Sequence, residues 1–205
     1  SAGRGGALEI AAPRIAVTDG TPYGAGFITL DLDTLRSIGP ATLILGGRQG
    51  SSNGAGQTTL NVTASEIVID ADGSTLEMPE LIAVATDRVF VGAGTTISGS
   101  GFGAAGNSLA IAGDGAALRV AGELGQRLVR TGSIGAIGDI EVKSRVTLKG
   151  GTVELDATRD HRVFNADAMS VTDRINVDAS VVAVGARALR FGEDSVANRL
   201  NVGSN

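Results

Sequence analysis

Short apolar triplets with a period of two residues are the feature of this sequence that most limits its fold. The triplets are Leu8/Ile10, Ile15/Val17, Leu43/Leu45, Leu60/Val62, Ile67/Ile69, Val89/Val91, Leu109/Ile111, Leu118/Val120, Ile140/Val142, Val146/Leu148, Val153/Leu155, Ile175/Val177, Val182/Val184 and Leu189/Phe191. This alternation is typical of β-strands with one buried face. Gly, Asp, Asn or Ser usually follows a triplet, so the strands are short and separated by turns. Only residues 33–38 have the pattern of a helical turn, and the chain is therefore predicted to be all-β.

The spacing of the strands separates a sandwich from a solenoid. Steps of 22 residues join four pairs of anchors: Leu60 with Ile82, Ile67 with Val89, Leu118 with Ile140, and Val153 with Ile175. A β-sandwich has no reason to keep this interval, whereas the coils of a parallel β-helix must stack the same inward positions over one another. The spacing predicts a parallel β-helix with about 22 residues and three short strands per coil.

The predicted solenoid occupies the whole chain. The sequence opens without a start Met and contains no targeting segment, and we expect residues 1–205 to be a single β-helix segment of a larger protein. Two Gly-rich stretches, 46–58 and 98–108, are predicted to be loops that leave the coil.

The same register predicts which side chains face inward and which charges meet. The inward set is Ile67, Ile69, Val89, Val91, Ile140, Val142, Val153, Leu155, Ile175 and Val177, and the outward set is Glu141, Glu154 and Asn176. The predicted charge contacts are Glu66 with Arg88, Arg119 with Glu141, and a column of Glu123, Arg145 and Asp167.

Composition excludes several classes of function. The 17 basic and 22 acidic residues give a net charge of −5 without a basic stripe, which argues against nucleic acid as a partner. The sequence has no Cys, which removes disulfides, thiolate metal sites and cysteine nucleophiles. No apolar run approaches the ~18 residues of a membrane-spanning helix, so membrane insertion is not expected.

Three motifs that match known chemistry lack the context that the chemistry needs. Residues 101–106 match G-x-G-x-x-G, but the alternating residues 108–113 leave no helix to receive a pyrophosphate. Asn61-Val62-Thr63 matches a glycosylation sequon but lies in a predicted strand. His161, the only histidine, has the setting of a solvated turn rather than a triad or metal site.

Acidic pairs are the remaining candidates for metal binding. None of them has the spacing of a known calcium loop, and Gly113-Asp114-Gly115 lacks the repeated nonapeptide of calcium β-rolls. We therefore predict no catalytic, cofactor-binding or metal site and no cofactor. The pairs considered are Asp31/Asp33, Asp70/Asp72 and Asp156/Asp178.

An enzyme on the same scaffold is the alternative. Asp156 and Asp178 are 22 residues apart, so the register stacks two carboxylates that could begin an acid–base pair. Both follow apolar strand positions, however, and we predict turn residues without a shared cleft. A polysaccharide lyase or hydrolase also needs aromatic subsites. Phe90, Phe164 and Phe191 have strand contexts that predict core positions, which leaves Tyr23 and Phe102 as the candidate exposed rings.

Several longer runs resemble the body of filamentous-haemagglutinin-family exoproteins. The runs are residues 30–39, 43–48, 59–70, 80–85, 89–97, 113–120 and 151–157, so the similarity covers most of residues 30–195. The resemblance implies a right-handed parallel β-helix that serves as the shaft of a large two-partner-secretion adhesin.

The expected function follows from that resemblance. The shaft would be secreted to the surface of a Gram-negative cell, with a role in cell adhesion and virulence. Its expected partners are an outer-membrane transporter during export and, through the parent protein, a protein or glycan on a host or neighbouring cell.

Overall fold

The structure is a computed structural model. It describes residues 6–52, 57–101, 108–123, 128–134, 136–143 and 145–158, and beyond these the strand backbone of 162–165, 174–185, 188–191 and 199–203. Strands make up 58% of the structure, and the described residues contain one helix, α1 (Leu32–Ile38). The prediction of an all-β chain is therefore confirmed, and α1 lies where the sequence predicted a helical turn.

In the described part of the chain, twenty strands build three curled sheets. The strands are β1 (Ala7–Ile10), β2 (Arg14–Thr18), β3 (Ile28–Asp31), β4 (Thr42–Leu45), β5 (Gly47–Ser52), β6 (Thr58–Val62), β7 (Glu66–Asp70), β8 (Thr75–Met78), β9 (Glu80–Ala85), β10 (Arg88–Val91), β11 (Thr96–Gly99), β12 (Leu109–Ala112), β13 (Ala116–Ala121), β14 (Val129–Thr131), β15 (Asp139–Val142), β16 (Val146–Ala157), β17 (Arg162–Asn165), β18 (Arg174–Gly185), β19 (Ala188–Phe191) and β20 (Arg199–Gly203).

Pairing within the sheets is mixed. Sheet A has the order β1-β4-β9-β13-β16-β11-β8, with β18 beside β16 and β20 beside β18, and its strand β13 runs antiparallel to both β9 and β16. Sheet B has the order β19-β17-β15-β10-β7-β2-β3, and all its neighbours are parallel. Sheet C has the order β14-β12-β6-β5, with β5 antiparallel to β6.

Two apolar clusters hold the sheets together. The larger cluster, which we call the main core, fills the space between sheets A and B. The smaller cluster lies between the other face of sheet A and sheet C. The inward positions predicted from alternation are confirmed for eight residues, all 2% exposed or less: Ile67, Ile69, Val89, Val91, Ile140, Val142, Val153 and Leu155. The side chains of Ile175, Val177 and Asn176 lie outside the described residues.

The 22-residue register holds for one anchor pair and is wrong for the others. Ile67 pairs with Val89 as predicted. The remaining anchors have other partners: Leu118 lies opposite Leu155 and Ala83, Val153 opposite Val182, Ile175 opposite Val146, and Leu60 and Ile82 belong to different sheets. For Leu118 the physical reason is chain direction, because alternation marks the buried face of a strand but not the direction in which the strand runs. For Val153 and Ile175 the strands are parallel as predicted, but they pair with an offset of 29 residues instead of 22.

In strand β16 the residues that face the main core are even-numbered before Gly150–Gly151 and odd-numbered after them. Before this point Val146 and Leu148 face the main core, and after it Val153 and Leu155 do. The first part of β16 pairs with β11 and the second with β13, so the carboxyl ends of β11 and β13 meet beside the two glycines. A Cβ at Gly150 would lie 2.4 Å from the Ala121 oxygen, which only glycine avoids.

The two predicted loops are partly strand. Residues 47–52 of the 46–58 stretch form β5, which pairs with β6, and residues 98–99 of the 98–108 stretch belong to β11. Residues 53–56 and 102–107 lie outside the described residues. Glycine content predicted loops in both stretches, but residues 47–52 and 98–99 are strands because their backbones pair within sheets C and A.

Helix α1 follows β3 and packs against the end of the main core. Asp31 caps its first turn by accepting from Thr34 N at 3.0 Å, and Gly39 ends it in the left-handed region at φ 60°. Leu32 and Leu35 are each 2% exposed and belong to the main core. No helix in the described part of the chain has the length and apolarity that crossing a membrane requires.

Candidate functional site

The outer face of sheet B carries a ladder of alternating charges. Because β2, β7 and β10 are parallel and in register, Arg14, Glu66 and Arg88 lie side by side. Arg14 Nη2 donates to Glu66 Oε2 at 2.7 Å and Arg88 Nε donates to Glu66 Oε1 at 2.9 Å. Arg88 Nη1 also reaches Glu141 Oε2 at 3.0 Å, and Lys143 Nζ lies 3.5 Å from Glu141 Oε1. We call these five residues the charge ladder; they confirm the predicted contact between Glu66 and Arg88.

Phe90 belongs to the outer face, so its predicted core position is wrong. It stands between the inward residues Val89 and Val91, and strand alternation therefore turns its ring outward, where it is partly exposed. The Arg88 Cζ atom is 5.2 Å and the Lys143 Nζ atom 5.7 Å from the ring centroid, both within cation–π range. The side chains of Phe164 and Phe191 lie outside the described residues.

A second aromatic group lies on this face in residues 19–27, which connect β2 to β3 and which we call the strap. Tyr23 and Phe27 meet edge to face, with ring centroids 4.9 Å apart, and Arg14 Cζ lies 4.0 Å above the Phe27 ring. Tyr23 N donates to Thr29 Oγ1 at 3.1 Å, which ties the strap to β3. Tyr23 is half-buried rather than a freely exposed ring. Phe27 is not among the residues predicted from the sequence, because the Gly-rich run 24–26 before it indicates only a loop.

Two part-buried carboxylates of the outer face, Asp70 and Glu66, have pKa values shifted in opposite directions. Burial raises the pKa of Asp70, and the charges of Asp72 and Asp19 raise it further. Burial also acts to raise the pKa of Glu66, but hydrogen bonds from Arg88 and Arg14 outweigh it and hold that pKa below its ordinary value. The pKa of Tyr23 is raised by burial and by the nearby charge of Asp70.

A separate charged cluster is sealed on the face of sheet A that looks toward sheet C. Arg119 Nη2 donates to Glu80 Oε1 at 2.6 Å and Arg119 Nη1 donates to Glu154 Oε2 at 3.1 Å. Thr42 Oγ1 donates to the other Glu80 oxygen at 2.7 Å. All three charged residues are less than 9% exposed, and we call them the buried triad.

The buried triad corrects two predictions. Arg119 contacts Glu80 and Glu154 rather than Glu141, because β13 runs antiparallel between β9 and β16 and is in a different sheet from β15. Glu154 is 3% exposed rather than outward, because the second face of sheet A is covered by sheet C. The column of Glu123, Arg145 and Asp167 stays untested, since Asp167 lies outside the described residues.

Asp156 and Asp178 do not form a stacked pair. Asp156 lies in β16 and Asp178 in β18, and these strands pair with an offset of 29 residues. Asp156 is therefore opposite Gly185, and Asp178 is opposite Lys149. Both lie within strands rather than turns. Asp156 instead accepts from Arg130 Nε at 2.6 Å. The geometry that an acid–base pair needs is therefore not present at these two residues.

The other acidic candidates have structural partners or neighbours. Asp31 caps α1, Asp33 accepts from Arg36 at 2.7 Å, and Asp114 accepts from the backbone N–H groups of Ile134 and Ala136. Within the residues that the structure describes, no group of three or more His, Cys, Asp or Glu side chains is arranged to hold a metal ion.

The remaining motifs are placed as follows. Asn61 is exposed in β6, and Val62 is partly buried against the smaller cluster. His161, Phe102 and most of the 101–106 motif lie outside the described residues.

Comparison with protein-family models, curated proteins and solved structures found no match to this chain.

Proposed function

We propose that this chain is a segment of the shaft of a secreted, surface-exposed filamentous adhesin, folded as a right-handed parallel β-helix. One observation carries the proposal. In sheet B the four strands β2, β7, β10 and β15 are parallel, and their inward residues Ile15, Ile67, Val89 and Ile140 stand in one register with 0% exposure. A column of this kind is what stacked coils require.

The column suits a mechanical role. Hydrogen bonds between parallel neighbours run along the stacking direction, and the apolar column continues through each added strand. A pull along that direction is resisted by every bond that joins two neighbouring strands, because those bonds must break together. Outward positions such as the charge ladder remain free to vary without disturbing the column, which lets a shaft present contact surfaces.

The expected partners belong to the same proposal. The parent protein would pass an outer-membrane transporter during export and then meet a protein or glycan on a host or neighbouring cell. A Cys-free chain suits this route, since it cannot form disulfides that would trap an unfolded intermediate.

A polysaccharide-active enzyme is the second candidate, and the outward ring of Phe90 favours it. A partly exposed ring flanked by Arg88 and Lys143 can stack on a sugar while the cations hydrogen-bond to its hydroxyls. The lack of an Asp156–Asp178 pair weighs against turnover, so this face supports glycan contact better than catalysis.

Force spectroscopy tests the shaft, and a turnover assay tests the enzyme. Pulled from its two ends, a shaft segment should unfold in several steps shorter than its full contour length, because each coil depends mainly on its neighbours. A single rip of the full length would contradict the proposal. A panel of acidic and neutral polysaccharides should show no turnover; turnover that Arg88→Ala or Glu141→Gln abolishes would favour the enzyme.

A further inference from the structure

Among the strands that the structure describes, β8 ends one side of sheet A, and no strand lies beside its second edge, which we call the free edge. Thr96 N donates to Ser74 O at 3.0 Å, and Ser100 N donates to Met78 O at 3.1 Å. Because carbonyls alternate in direction along a strand, those of Thr75 and Glu77 point away from β11, toward the free edge. Edge groups that have no strand partner are a template for strand addition by another chain.

Helix α1 covers this edge. The Arg36 guanidinium donates to Thr75 O, one of the two edge carbonyls. Leu32 and Leu35 pack into the main core, and Leu76 of β8, at 0% exposure, belongs to the same core. The helix has seven residues and is capped at both ends, so its length and position are well defined.

The outer surface of α1 is polar except at its last residue, Ile38, which is 56% exposed. Asp33 and Arg36 form an ion pair at 2.7 Å, Thr34 and Ser37 are exposed, and Ser37 Oγ donates to Thr34 O at 2.8 Å. A terminal unit with an apolar inner side and a polar outer side is what keeps stacked folds from associating end to end.

We propose that α1 masks a strand-pairing surface, the free edge of β8, that would otherwise pair with the same edge of a second copy of this chain. A second copy fits because β8 can meet its own symmetry mate in an antiparallel, two-fold arrangement. With the two-fold axis passing between the two Leu76 residues, each Glu77 lies opposite Thr75 of the other copy, so no like charges oppose each other directly.

Light scattering after size exclusion tests this inference with a cap-removed variant, Leu32→Ser/Leu35→Ser/Arg36→Ser, and a control, Ser37→Ala, on the exposed side of α1. The wild type and the control should be monomeric and the cap-removed variant dimeric. Adding Glu77→Pro should return the variant to a monomer, because it removes a donor from the free edge without touching the pairing with β11. A monomeric cap-removed variant that keeps its strand signal in circular dichroism would overturn the inference, as would a dimer that Glu77→Pro leaves intact or a wild type that already pairs through β8.

A milder variant covers the case in which the cap-removed protein does not fold. Arg36→Ala frees Thr75 O and leaves the buried leucines in place. A fluorescent peptide of residues 74–79 should bind this variant, and the polarisation of the peptide should rise, while the wild type and Ser37→Ala should not bind it. Equal binding to all three proteins, or binding to none, would show that α1 does not guard the edge.

Discussion

Arg119 Nη2 lies 2.6 Å from Glu80 Oε1 in a contact where both side chains are 10% exposed. Glu154, at 5% side-chain exposure, holds the other side of the same guanidinium. One guanidinium therefore holds two largely buried carboxyl groups, one on each side. Such an arrangement depends on every member being present.

Removing Arg119 should destabilise the fold more than removing a surface arginine. Arg119→Met leaves two buried carboxylates without their partner, and we expect the free energy of unfolding in urea to fall by about 3–5 kcal/mol. Arg14→Met is the matched control: Glu66 keeps Arg88, and the loss should be about 0–1 kcal/mol. Equal losses would show that the triad is not the critical contact. The triple change Arg119→Met/Glu80→Gln/Glu154→Gln should recover part of the loss, because no buried charge remains.

Adding one methyl group at the β16 bend should also destabilise the protein. Gly150→Ala places a Cβ 2.4 Å from the Ala121 oxygen, and the main chain must shift to make room. We expect a loss of about 1–3 kcal/mol in the free energy of unfolding. Gly24→Ala, which meets nothing within 4 Å, is the control and should change little. A Gly150→Ala protein as stable as the control would contradict the close approach of β16 and β13.

Asp70 and Glu66 should give opposite pH dependences. The pKa of Asp70 is raised from its ordinary 3.8, so its protonated form favours the fold; that contribution is complete below pH 3.8 and is lost as the pH rises through the folded-state pKa. Asp70→Asn should therefore be more stable than the wild type at neutral pH, with the difference closing in acid.

The contribution of Glu66 to stability should change with pH in the opposite direction. Its pKa is lowered from 4.5, so its contribution is present above pH 4.5 and is lost as the pH falls through the folded-state pKa. Glu66→Gln should be less stable than the wild type at neutral pH, and the difference should shrink in acid. Thermal melts of the three proteins between pH 2 and pH 7 measure both effects, using the range set by the ordinary carboxyl values. Parallel curves for the three would exclude both assignments.

The strap can be followed by fluorescence, because Tyr23 is the only tyrosine and the chain has no tryptophan. Phe27→Leu removes the edge-to-face contact and the ring under Arg14. Acrylamide should then quench Tyr23 emission more strongly, while the melting temperature changes little. Phe90→Leu, a change to a ring outside the strap, should leave the quenching as in the wild type. If Phe27→Leu does not alter quenching, the strap is held by other contacts.

Alternation predicted burial well and pairing poorly. The residues of β7, β10 and β15 that face inward follow from the period of two, because burial of one face fixes that period. The partner of Arg119 could not be derived in this way, since the direction of β13 is decided by tertiary packing. Phe90 stands between Val89 and Val91, so the same alternation places its ring outward, whereas its strand context alone predicted a core position.

The change of parity in β16 also had a sequence signal. Val146 and Leu148 are even-numbered, Val153 and Leu155 are odd-numbered, and Gly150-Gly151 lies between them. A single strand cannot bury both sets on one face without a local bend. The burial of Glu154 follows from that bend together with the cover that sheet C provides, and the cover is a tertiary feature that no local pattern encodes.

The position of β10 has a consequence for the time order of folding. Its partner β15 follows β11, β12, β13 and β14 in the chain. The contact between Arg88 and Glu141 therefore joins residues 53 positions apart and forms only when both strands are in place. Contacts between such distant segments form slowly, because the intervening chain must be organised first. Until then the growing sheet ends in an open strand that other unfolded molecules can join. Refolding yield should therefore depend more on protein concentration during this interval than on the strength of any one strand.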